Sequence, residues 1–140
     1  MYGAWHFIHG HSGAVEDTEN VSGLQRKGWG LSFFQRAGTS NWVHFAIPSN
    51  ALYGWRADHL HVKFTAGDTA KVSAIHLWDG NVRIWERSVE SGNGEFDMMM
   101  ELGQEFEIAR ALGVSIKIEA TESGDGLFMF HAVGANFRQV

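Results

Sequence analysis

A chain of 140 residues suits one domain spanning residues 1–140, and without cysteine it holds no disulfide framework, thiolate zinc site or cysteine nucleophile. The formal net charge of −5 is spread along the chain with no block of like charges. It therefore lacks the clustered Lys/Arg footprint that nucleic acid requires, and no apolar run approaches the length of a membrane span.

Seventeen Gly against one Pro, with ten Phe and six Trp, favour many short strands joined by turns. In chain order, the first predicted strand is WHFIHG (5–10), followed by GLSFFQRA (30–37). In NWVHFAIP, Val43, Phe45 and Ile47 alternate with Trp42, His44 and Ala46, so both faces of that strand are expected to be covered. In ADHLHVKFT, Leu60, Val62 and Phe64 alternate with His59, His61 and Lys63, and the lysine marks a solvated face. KVSAIHLW, DGN and VRIWERS read as a hairpin, because Asp-Gly supplies the positive-φ residues that join antiparallel strands.

Residues 96–112 are ambiguous: FDMMMEL fits an extended strand, whereas good helix formers over 103–112 fit a short helix ending at Gly113. GVSIKIEAT then puts Val114, Ile116, Ile118 and Ala120 on one face, and GLFMFHAV follows the turn cluster ESGDG. The expected fold is all-β: a jelly-roll-like antiparallel sandwich of about eight or nine strands. With no basic segment leading into an apolar stretch near residue 1, cytoplasmic residence is the default expectation.

Chemistry is sparser than structure in this sequence. His9 and His11 form a His-x-His pair, which on a strand presents two imidazoles on one face at a spacing suited to one metal ion. Gly3, His9, His11, Glu16 and Gly23 also resemble, in spacing, the first motif of cupins. That likeness implies a metal-dependent enzyme in which a divalent transition metal is held by His9, His11, Glu16 and a further histidine. Opposing it, the sole proline, Pro48, lacks the company of the second cupin motif. His44, His76 and His131 lie within apolar strands, where an imidazole bonded to backbone is the expected outcome. No G-x-S-x-G elbow or phosphate loop occurs.

Six tryptophans are the other unusual resource. Tyr53 and Trp55 sit in a stretch that reads as a loop, with less reason to bury two large rings, and are candidate ligand-stacking residues. Trp85 is a second candidate, with Arg83 and Arg87 expected on its face of the strand. The main functional expectation is therefore a non-catalytic, cofactor-free sandwich that binds a carbohydrate or small ligand, or associates with identical subunits. Methionine-rich FDMMMEL is the candidate subunit contact, with burial in the core as its alternative.

AWHFIHG, RKGWG, GTSNWVHFAIP, AIHLWDG and HAVGANF together resemble the landmarks of a family of small, mainly bacterial β-sandwich proteins. The strongest likenesses are to N-W-[FV]-H-x-x-I-P and H-[VL]-[WY]-D-G. The resemblance implies a fold but no reaction, substrate or cofactor, since none is established for the family. It implies packing and turn roles for Trp42, Pro48, Asp79, Gly80 and Phe137.

Overall fold

Alternating apolar side chains need a dry face to bury, and the chain supplies one by stacking two antiparallel sheets. The structure, a computed structural model, describes residues 3–48 and 55–139. Its strands are β1 (Gly3–His9), β2 (Ala14–Val15), β3 (Val21–Lys27), β4 (Gly30–Gln35), β5 (Ser40–Ile47) and β6 (Trp55–Ala66). They continue with β7 (Ala70–Asp79), β8 (Val82–Ser88), β9 (Gly94–Glu107), β10 (Leu112–Ala120) and β11 (Gly126–Gln139). One sheet has the order β3-β4-β11-β6-β9, with β1 also paired to β11; the other is β2-β5-β10-β7-β8. Along one edge of β11, β4 pairs with Gly126–Phe130 and β1 with Ala132–Arg138, while β6 occupies the other edge.

The inward positions predicted from alternation form the core. Val43, Phe45, Ile75, Leu77, Val114, Ile116 and Ile118 of one sheet face Leu31, Phe33, Leu60, Val62, Phe64, Phe128 and Phe130 of the other. Phe130 joins them: its ring centroid lies 5.6 Å from Phe45 across the sandwich and 6.0 Å from Phe64 beside it. Gly10 carries the chain out of β1 against the backbone of β11, where an added Cβ would sit 1.8 Å from the Phe130 carbonyl oxygen. Only a hydrogen fits there. Among the described residues no helix is long and apolar enough to cross a membrane.

The helix over 103–112 is corrected to strand. Phe96, Met98 and Met100 turn inward at period two, and β9 runs on to Glu107. Gly103 has φ +80°, which a right-handed helix cannot hold. The open edge of β6 supplies a pairing partner, so tertiary context overrides local helix preference. Residues 109–111 are fixed instead by Asp79, whose carboxylate accepts the backbone N–H groups of Ala109, Arg110 and Ala111 at 2.9, 2.9 and 3.1 Å. Burial alone would raise the Asp79 pKa, but these three donors and the Arg110 charge hold it below the ordinary 3.8. The Asp-Gly hairpin forms as expected, with Gly80 at φ +59°.

Among the described residues there are eleven strands where eight or nine were expected. The additions, β2 and β3, carry no alternation: β2 has two residues, and β3 is an edge strand exposed along nearly its whole length. Strands without a buried face leave no periodic signal.

Candidate functional site

On the outer face of the five-stranded sheet, strand register assembles three rows of side chains. The middle row is His44, Ser115, His76 and Glu86, contributed by β5, β10, β7 and β8. Beside it run Ala46, Gly113, Trp78 and Arg83, and on its other side Trp42, Lys117, Ala74 and Ser88. Each row follows from the antiparallel ladder, in which directly opposed residues share a face.

Small residues open the floor and large ones build the walls. Ala46 and Gly113 leave a depression of about 420 Å³ against Trp78, His44 and Ser115. A second depression, of about 250 Å³, lies among Trp42, His44, His76, Trp78 and Arg83. The two share His44, Trp78 and Ser115, so they form one groove across the sheet. Trp42 and Trp78 are both half-buried. The Trp42 ring leans over His76, with centroids 4.6 Å apart.

The polar groups between the walls are held in place. His44 Nε2 lies 2.9 Å from Glu16 Oε1, and His44 Nδ1 lies 2.7 Å from Ser115 Oγ. A carboxylate only accepts, so in the neutral ring Nε2–H donates to Glu16 and Nδ1 accepts the Ser115 hydroxyl. Glu86 Oε2 stands 3.5 Å from His76 Nε2 and 3.6 Å from Arg83 Nη1, linking the two. Burial, with the charges of Arg83 and Lys117, pushes the His76 pKa below 6.5 against the opposing pull of Glu86. His76 is thus neutral at neutral pH, one nitrogen donating and the other accepting. The groove offers donors, acceptors, both signs of charge and two indole rings along one face of the sheet.

No family model and no curated protein matches this chain. Solved structures match it along nearly its whole length. A family 29 carbohydrate-binding module superposes with a TM-score of 0.61 at 11% identity, covering 96% of this chain and 90% of that one. TmCBM61, solved in complex with β-1,4-galactotriose, gives 0.51 at 13% identity, covering 97% and 88%. The family 11 module from Clostridium thermocellum, in complex with a β-1,3-1,4-mixed-linked tetrasaccharide, gives 0.51 at 10% identity, covering 94% and 87%. At these identities the likeness is one of fold.

The site residues expected from sequence are dispersed. His9 and His11 do not share a strand face, because β1 ends at His9 and His11 lies in a single 3₁₀ turn, Gly10–Ser12. Their ring centroids lie 3.9 Å apart with the planes tilted by 38°, and His9 Nδ1 accepts the backbone N–H of His11 at 3.2 Å. Glu16 turns to His44 instead. Among the described residues, no group of three or more His, Asp or Glu side chains converges to hold a metal ion. His9, His11 and Glu16, the set drawn from the cupin spacing, form no such group.

Arg83 lines the groove, but Trp85 does not accompany it. A bulge in the β7–β8 ladder pairs Arg83 with outward Trp78 and Trp85 with inward Leu77, which puts the two on opposite faces. Trp85 packs against the core, donates Nε1–H to the Leu102 carbonyl at 3.1 Å, and lies under the Arg87 guanidinium at 4.9 Å. Trp55 is half-buried against the core, and Tyr53 falls outside the described residues.

His44 and His76 face outward, His44 bonded to Ser115 and Glu16 and His76 beside Glu86, which corrects the expectation of backbone partners. His131 keeps one such partner, donating Nδ1–H to the Trp29 carbonyl at 2.8 Å. Sequence reasoning missed the groove although its signal was present. N-W-V-H and H-L-W-D-G each carry an imidazole and an indole two residues apart, on strands flanking the same neighbour, β10.

Proposed function

We propose that this domain is a non-catalytic module that binds a chain of neutral, β-linked hexopyranose units in the groove of the five-stranded sheet. The observation that carries this reading is the pairing of Trp42 and Trp78 as walls around a floor of fixed donors and acceptors. A pyranose has an apolar C–H face and a rim of hydroxyls, so it needs flat rings beneath and bidirectional hydrogen bonding at the edge. Trp42 and Trp78 supply the first. His44, His76, Ser115, Glu16 and Arg83 supply the second. Similarity of fold to modules solved with cellulohexaose, β-1,4-galactotriose and a mixed-linked tetrasaccharide supports the same ligand class.

The linear Ser115, His44 and Glu16 arrangement does not favour hydrolysis. Ser115 sits mid-strand in β10, which is paired on both sides, so the ladder uses the local backbone N–H groups that an oxyanion hole would need.

The test is calorimetric titration with cellohexaose, β-1,4-galactotriose and the mixed-linked tetrasaccharide, with tryptophan fluorescence followed in parallel. The expected result is saturable binding of at least one, lost in the Trp42→Ala/Trp78→Ala double variant. A Tyr53→Ala/Trp55→Ala variant is the contrast: loss of binding there with the groove variant unaffected moves the site to those two residues. No binding of any of the three at millimolar concentration refutes the proposal.

A further inference from the structure

We propose that the saccharide groove continues past His76, diagonally across the five-stranded sheet, into a third depression without aromatic rings, and that this far end makes the site select longer β-linked chains. The inference rests on the reading that the groove binds oligosaccharide, and adds to it the length of chain that the site takes.

The first depression opens over Ala46 and Gly113 on β5 and β10, and the second beside His76 on β7. A third, of about 570 Å³, opens one strand farther on, beside Ser73 on β7 and Ser88 on β8. Between the second and the third runs the row of Trp42, Lys117, Ala74 and Ser88, whose members on β7 and β8 are small. The path over Ala74 is therefore open. At about 4.8 Å between strands and about 6.8 Å between rows on one face, the three depressions together span on the order of 20 Å. That is more than a trisaccharide fills.

The far end has a fixed wall. Beyond Ser88 the chain stays on the sheet: the Val89 N–H donates to the Ser73 carbonyl at 2.9 Å, and the Ser91 N–H to the Val72 carbonyl at 3.3 Å. The Val72 N–H donates in turn to Ser91 Oγ at 2.8 Å. Ser91 is buried and Val89 packs against the core, so residues 89–91 stand in place beside β7. Opposite this wall, a bulge pairs Lys117 with Ala74 and Ile118 with Val72, which leaves Ser73 without an opposed residue on β10.

Its chemistry differs from that of the rest of the groove. Among the described residues no aromatic side chain borders the third depression, whereas Lys71, Glu90 and Glu119 do, with Lys71 and Glu119 opposed in register. The Ser73 hydroxyl has no hydrogen-bond partner among the described residues. Ammonium, carboxylate and hydroxyl groups match the hydroxyl rim of a pyranose, but nothing here holds its apolar face. Polar contacts of this kind compete with water and are weak alone. The far end therefore adds affinity to a chain already stacked on Trp42 and Trp78, and the addition reaches only chains long enough to extend into it.

The experiment is calorimetric titration of the full chain with cellotriose and cellohexaose, and with the β-1,4-linked galactose tri- and hexasaccharides. In a series that binds, the parent is expected to hold the hexasaccharide about ten-fold more tightly than the trisaccharide. Lys71→Ala/Ser73→Ala is expected to cut that ratio by about three-fold or more and to leave trisaccharide affinity unchanged, which also shows that the variant is folded. Lys71→Arg/Ser73→Thr keeps the charge and the hydroxyl and is expected to keep the ratio. Trp42→Ala/Trp78→Ala is expected to lose both lengths.

A ratio near one in the parent, or a ratio that survives Lys71→Ala/Ser73→Ala, overturns the inference and leaves the proposed function standing. Equal loss of both lengths in that variant also overturns it, because the two residues then act on the fold or on the groove as a whole. A parent that binds neither length in either series at millimolar concentration removes the proposed function itself, and this inference with it.

Discussion

Removing the Trp78 ring tests the groove most directly, because that ring borders both of its depressions. Trp78 is half-buried, so a sugar covers only its open part, on the order of 70 Å² of the roughly 200 Å² that an indole side chain can bury. At about 25 cal/mol per Å² this is worth about 1.8 kcal/mol, or about 20-fold in Kd. The Trp78→Ala protein should therefore bind oligosaccharide about 20-fold more weakly by calorimetry. Its unfolding midpoint should move little, since the indole lies on the solvent side of β7 and lines no part of the inter-sheet core. Trp78→Phe, which keeps a flat face of smaller area, should fall between parent and alanine variant. A Trp78→Ala protein that retains its fold and binds within two-fold of the parent would refute the stacking argument.

Phe130→Ala should cost about 3–5 kcal/mol in a urea melt, because the ring is fully buried between Phe45 and Phe64 and the sheets cannot close over its cavity; a loss below about 1 kcal/mol would show that the core repacks freely. Asp79 has a folded pKa below 3.8, so its stabilisation is full above that value and lost as pH falls through the folded pKa. Asp79→Asn should be less stable than the parent at pH 7, with the gap shrinking on acidification below 3.8; a constant gap in melts from pH 7 to 2 would contradict this. His76 has a folded pKa below 6.5, so the folded state binds fewer protons than the unfolded chain, and stability contributed above pH 6.5 is lost as pH falls below it. His76→Gln should remove that portion of the slope between pH 6.5 and 5, and an unchanged slope would mean the ring is not desolvated.

Much of the fold was legible because alternation is a local property. The inward sets of Val43, Phe45 and Ile47 on β5, and of Val114, Ile116 and Ile118 on β10, can each be read within one strand and are buried as read. The Asp-Gly hairpin is equally local, since positive φ at Gly80 is a demand of the turn itself. Residues 103–107 were not legible in this way. Their composition suits a helix, and only the unpaired edge of β6 draws them into a strand. β3 gave no signal because neither of its faces is dry.

Of the candidate site, the residue types could be read from the sequence but their company could not. His44 and His76 stand at equal height because both β5 and β7 register on Ser115, an alignment set by pairings between segments far apart in the chain. One bulge in β7–β8 moves Trp85 to the opposite face from Arg83, and one 3₁₀ turn takes His11 off the strand of His9. A shift of a single residue reverses which face a side chain occupies, so site composition in a β-sandwich depends on every register along the path. The sequence by itself determined that this chain forms alternating strands around an aromatic core, because that follows from burial within each segment. Only the tertiary structure decided that Trp42, His44, His76 and Trp78 share one groove while Trp5 and Phe7 share the opposite face, because register and sheet order belong to no single segment.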